Sequence, residues 1–149
     1  MSIKEQLYNA CKNYVDKREA TITKTITSNQ KSLQSETKSS AGDKHETGRA
    51  MLQLEMEKAG QHLAEINIMK EILAKINLDS NSNLAHLGSL IYTNKATYFL
   101  SISLGQIIIE NEMFFAISAS SPIGKLLLGK QKGDTITFNG NPITIKSIC

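Results

Sequence analysis

The stretch SSAGDKHETGRA, residues 39–50, holds two carboxylates, Asp43 and Glu46, just past Gly42. Side chains at i and i+3 of a helix start point the same way. Two chemistries suit such a pair. Magnesium takes hard oxygen ligands and is often held by only one or two protein carboxylates. The pair can therefore supply part of a metal's coordination. Asp-x-x-Glu at a helix start is equally a variant of the capping box, in which side-chain oxygens accept from orphan backbone N–H groups. A carboxylate tied to its own backbone is less free to bind metal, and the local sequence leaves both readings open.

The other reactive side chains form no comparable group. Cys11 and Cys149 stand at opposite ends of the chain, outside any CxxC or Cys/His cluster. His45, His62 and His86 share no ligand spacing, so neither a histidine metal site nor a catalytic triad is expected. Lys17, Lys24, Lys31 and Lys38 recur every seven residues. Such a stripe is either a solvated helix face or a row of contacts to RNA or phosphates.

The elements that must position these residues follow from composition. The 149 residues suffice for one ordinary domain or two small ones. An apolar fraction of 40% is somewhat low for a compact globule and suits a chain with one elongated and one compact part. A net charge of +3 does not demand a nucleic-acid partner. No apolar run is long enough to span a bilayer, and no amino-terminal segment reads as a secretion signal. The expectation is a cytoplasmic protein with reduced thiols and no membrane partner.

The chain has two grammars. Residues 1–76 contain no proline and three glycines, Gly42, Gly48 and Gly60. Leu52, Ala59, Ile66 and Leu73 recur every seven residues, with Met56, Leu63, Met69 and Ile76 in the adjoining stripe. This is one apolar face at helical period. Ile3, Leu7, Cys11, Tyr14, Val15, Ile22, Ile26 and Leu33 support a first amphipathic helix. Within it, TITKTITS (21–28) reads locally as a strand, but Ile22, Ile26 and Leu33 share one helical face, so the helix is preferred. Met51, Met56 and Met69 are expected in the hairpin core. Two such helices around Gly42 should fold back on each other as an arm about 45–50 Å long at 1.5 Å per residue.

NLDSNSN, residues 77–83, reads as a linker. From 84 to 149, runs at 87–93, 96–103, 106–118, 134–138 and 141–148 read as strands, with Asn139-Gly140 as a tight hairpin turn. SPIGKLLLGK (121–130) starts as a helix, with Ser121 as cap and Pro122 at the first helical position, and Gly129 ends it. The fold class is α+β: an antiparallel coiled-coil hairpin (1–76), a linker (77–83) and a small, mostly antiparallel sheet domain with one short helix (84–149).

Three segments carry a family resemblance: Ser121-Pro122-Ile123-Gly124, Leu127-Leu128-Gly129-Lys130 and Gly133-Asp134. With Gly42-Asp43-Lys44-His45-Glu46 at the expected hairpin tip, the chain resembles the GreA/GreB family of bacterial transcript-cleavage factors. The resemblance implies an FKBP-like carboxyl-terminal domain and a monomeric, non-enzymatic transcription elongation factor acting on DNA-bound complexes. Its partner would be bacterial RNA polymerase, entered through the secondary channel, with the nascent RNA 3′ end met indirectly. Ser121, Pro122 and Ile123 would dock on the channel rim. Asp43 and Glu46 would help hold a magnesium ion of the polymerase active centre, with no cofactor bound stably outside that complex. Cleavage of backtracked RNA would then be stimulated.

The family pattern after the glutamate is Asn-Ala-Glu-Tyr, whereas this chain has Thr47-Gly48-Arg49-Ala50. A channel regulator that inhibits or modulates without promoting cleavage is therefore the alternative. More distant alternatives are an FKBP-type prolyl isomerase, by analogy of fold alone, and a plain coiled-coil adaptor.

Overall fold

A computed structural model describes the backbone of residues 1–38 and 43–149 and the side chains of 1–35 and 48–149. Two long helices, α1 (Ile3–Lys38) and α2 (Asp43–Lys75), precede strands β1 (Leu90–Thr93), β2 (Thr97–Ser101), β3 (Gly105–Ile109) and β4 (Glu112–Ser118). A short helix, α3 (Pro122–Leu127), and strands β5 (Thr135–Phe138) and β6 (Asn141–Ile148) complete the chain. The architecture is α+β. Contacts divide it into a helical unit, Val15–Met69, and a sheet unit formed by Met1–Tyr14 with Lys70–Cys149.

In the helical unit, Val15, Ile22 and Asn29 of α1 and Ala59 and Ile66 of α2 are buried. Each set repeats at seven residues, the period of a coiled-coil seam. The threonine-rich segment 21–28 is helical throughout. The hydroxyls of Thr21, Thr25 and Thr27 donate to the carbonyls of Lys17, Thr21 and Thr23 at 3.0–3.1 Å. Their local hydrogen bonding is thus satisfied without leaving the helix, and the burial of Ile22 decides between helix and strand. Met51 departs from expectation. It is 63% exposed, because Leu52, the next residue, takes the place on the buried stripe.

The sheet unit has six strands in the order β3-β4-β2-β1-β6-β5. All neighbours are antiparallel except β2 and β4, which run parallel from Tyr98↔Phe115 to Ser101↔Ser118. Successive strand residues face opposite sides, and β2 shows this directly. Leu100 belongs to an apolar cluster with Ile91, Leu127, Ile136, Ile143 and Ile145 on the side of α3. Ser101 points the other way, its hydroxyl 3.7 Å from the Cys11 thiol of α1. Tyr8 donates to the Leu73 carbonyl at 3.2 Å, tying the start of α1 to the end of α2 inside this unit.

Residues 106–118, expected as one strand, form the hairpin β3–β4. The turn residues Glu110 and Asn111 both have positive φ (52° and 66°), as a two-residue primed turn requires. The expected Asn139-Gly140 turn has the same form, with φ of 51° and 79°. No helix among the described residues is long and apolar enough to cross a membrane.

Candidate functional site

The segment 118–134 is built by specific local bonds. Ser121 has extended backbone (φ −68°, ψ 157°) and caps α3. Its hydroxyl accepts from the Gly124 N–H at 3.1 Å and donates to the Ser118 carbonyl at 2.7 Å. Pro122 occupies the start of α3, where its missing N–H costs nothing. A Cβ on Gly124 would run into the Ser118 backbone carbonyl, so the close approach of strand β4 to α3 requires glycine here. Leu127 is fully buried in the cluster under α3.

Beyond the helix, Gly129 has φ of 80°, and its N–H donates to the Ala85 carbonyl at 2.8 Å. Ala85 in turn donates to the Lys130 carbonyl at 2.7 Å. Gly133 and Asp134 then pair with Ile145 through backbone bonds of 2.9 Å, while the Asp134 carboxylate accepts from the Gln131 N–H at 2.9 Å.

Most of the motif therefore has structural work: Ser121, Gly124, Leu127, Gly129, Gly133 and Asp134 are accounted for by caps, close approach, burial and turns. The remainder is what the segment can offer a partner. Pro122, Lys125, Leu126, Leu128 and Lys130 are exposed, Leu126 by 36% and Leu128 by 47%. The apolar pair Pro122 and Ile123 is divided, with Pro122 facing solvent and Ile123 packed against the core cluster. Leu84, 48% exposed, lies beside the bridge it forms with Gln131. Exposed apolar side chains gathered at one element suit a binding surface. The signal for Leu126 was present in the run Leu126-Leu127-Leu128, because neighbouring helical positions point about 100° apart and cannot both face one core, and Leu128 follows as the non-helical C-cap of α3.

On α1, Lys17, Lys24 and Lys31 are exposed, whereas the Lys38 side chain lies outside the described residues. A shallow depression on the same helix is lined by Asp16, Glu19, Lys24 and Lys31 together with Thr23 and Thr27. The lysines are thus interleaved with carboxylates rather than forming a purely cationic track.

The backbone of α2 begins at Asp43; the side chains of Asp43 and Glu46 lie outside the described residues. Among the described residues, no three His, Cys, Asp or Glu side chains gather as a metal site. Cys11 is buried, and that burial raises its thiol pKa against the opposing hydrogen bond with Ser101. Cys149 is exposed. Phe99 and Phe114 are consumed by the core of the sheet unit, which weighs against an aromatic-lined isomerase pocket.

No family model matches the chain, and no curated protein matches it. Among solved structures, it is similar to the crystal structure of the GreA factor homolog 1 protein of Thermus thermophilus. The alignment covers 95% of this chain and 94% of that one, at 18% identity and a TM-score of 0.35. A likeness that distant carries no function with it.

Proposed function

We propose that this chain is an RNA-polymerase-binding factor without a catalytic centre of its own. It docks through the outer surface of α3, enters the secondary channel with its helical arm, and acts on hydrolysis of backtracked RNA at the polymerase's active centre. The observation that carries the reading is the exposed remainder of the 121–134 motif. Pro122, Leu126 and Leu128 have no structural duty that explains their exposure, yet they sit in the segment whose resemblance to the GreA/GreB family is most specific. Lys125 and Lys130 beside them favour a partner surface with an acidic rim, since rim charges set approach and specificity.

In this reading Asp43 and Glu46 are carried at the start of α2 and offer two anionic oxygen donors, the type magnesium prefers. When bound, the ion supplies water activation and neutralises developing charge at the scissile phosphate. The carboxylates share in holding it and orient the water. Arg49, where the family pattern has an acidic residue, favours the second reading, a channel regulator that does not promote cleavage.

The test is binding of the full chain to purified bacterial RNA polymerase core enzyme. Leu126→Asp leaves the core intact and should weaken binding at least tenfold if Leu126 is a central anchor. Unchanged binding would remove α3 as the docking surface, and absence of binding by the parent would remove the function.

A further inference from the structure

One buried group in the helical unit has no part in the docking or the tip chemistry. Asn29 occupies the position seven residues after Ile22 and fourteen after Val15, both buried. It is itself only 8% exposed, and its carboxamide nitrogen has no hydrogen-bond partner among the described residues. The described residues of the unit all belong to segments of α1 and α2, and one helix alone cannot bury a side chain that deeply, so Asn29 sits in the seam between them. A polar residue at a core heptad position fixes register at a cost in stability. An unsatisfied buried donor adds its own desolvation penalty.

The burial around it grades in the same direction. Val15 and Ile66 are 1% and 0% exposed, Ala59 and Ile22 are 5% and 8%, and Leu52, the α2 heptad position beyond Ala59, is only half-buried. Three threonines between 21 and 27 bond back to their own helix, a pattern that slightly weakens helices.

We infer that Asn29 is a built-in weak layer, beyond which the two helices open locally without unfolding the part of the pair that holds Val15 and Ile66. Local opening of this kind is set by thin apolar packing and exposed backbone bonds. It makes residues 24–35 and 48–58 the low-stability end of the arm, and it stands whether or not the partner is RNA polymerase.

The test is amide hydrogen exchange on the full chain, comparing the parent with Asn29→Leu and Asn29→Ile, the latter copying Ile22. Parent amides in 24–35 and 48–58 should exchange well before those in 10–18 and 62–70. Both variants should slow the first pair of segments about tenfold or more and leave the second pair within about twofold. Equal slowing everywhere would show that Asn29 acts on global stability and would overturn the proposal. So would unchanged exchange at 24–35 and 48–58. Loss of the fold in both variants would show that the position requires a polar side chain, which also contradicts it.

Discussion

The two units bury their cores in different ways, and the difference separates what is rigid from what can yield. In the sheet unit, Phe99, Leu100, Ile91 and Leu127 are fully buried, because helices cover both faces of the strands they pack on. In the helical unit Val15, Ile22, Asn29, Ala59 and Ile66 are buried, while the adjoining Ile26, Met56 and Leu63 are only half-buried. This seam includes the polar Asn29, and Ala59 and Ile22 keep 5% and 8% of their surface exposed. A three-dimensional core leaves little room to relax around a missing side chain, whereas a two-helix seam can close over it. The α3 residues proposed for docking are therefore held firmly, and residues of the helical unit are held by less.

Mutations in the two units should differ in cost. Leu127→Ala should cost about 2–5 kcal/mol in chemical denaturation, the range for a buried leucine in a close-packed core. Gly124→Ala should follow at about 1–3 kcal/mol, the usual cost of overpacking, because the new methyl meets the Ser118 carbonyl. Ile22→Ala should cost less than Leu127→Ala, about 2 kcal/mol at the low end of the same range, since the seam collapses more easily. If Ile22→Ala proved the costlier, the contrast between the units would be wrong.

Ser121→Ala should remove about 1 kcal/mol, the typical worth of a helix cap, and should loosen the loop carrying Pro122. Threonine, whose hydroxyl can both accept from the Gly124 N–H and donate to the Ser118 carbonyl, should restore most of it, whereas aspartate, which can only accept, should not.

The smallest effect sharpens the contrast through the two thiols. Exposed Cys149 should be alkylated in the native protein and buried Cys11 only after unfolding, as read by mass spectrometry of the labelled peptides. Burial raises the Cys11 pKa, so the folded state holds that proton more tightly than the unfolded chain. The resulting stabilisation is complete below the ordinary thiol range and is lost as pH rises through the folded value. A Cys11→Ser variant should therefore show a shallower loss of stability at alkaline pH than the parent.

Much of this organisation was legible in the sequence. The heptad spacing of Leu52, Ala59, Ile66 and Leu73 fixes the face of α2, and Ser121-Pro122 followed by Gly129 delimits α3. The split of 106–118 was not legible. Glu110 and Asn111 adopt positive φ with no glycine between them, and the run Ile107-Ile108-Ile109 continues the strand pattern to the edge of the turn. Nor was the parallel pairing of β2 with β4, which is a choice between distant segments that local propensity does not encode. Asn29 could have been found. Its place in the series 15, 22, 29 marks it as a polar residue on an apolar seam, and only its burial shows that it stays there. The division of Pro122 from Ile123 needed the cluster under α3, because either residue alone reads as apolar and available.

The proposed action of Asp43 and Glu46 inside a transcribing polymerase is open to test on a stalled, backtracked elongation complex with magnesium, following the RNA 3′ end. The parent should shorten the transcript faster than polymerase alone. Asp43→Asn should bind polymerase equally and lose most of that stimulation, because asparagine caps a helix about as well as aspartate but lacks the charge that helps hold the metal. Equal stimulation by Asp43→Asn would contradict the metal role of Asp43. Polymerase binding by the parent with no shortening would give the function to the channel-regulator reading.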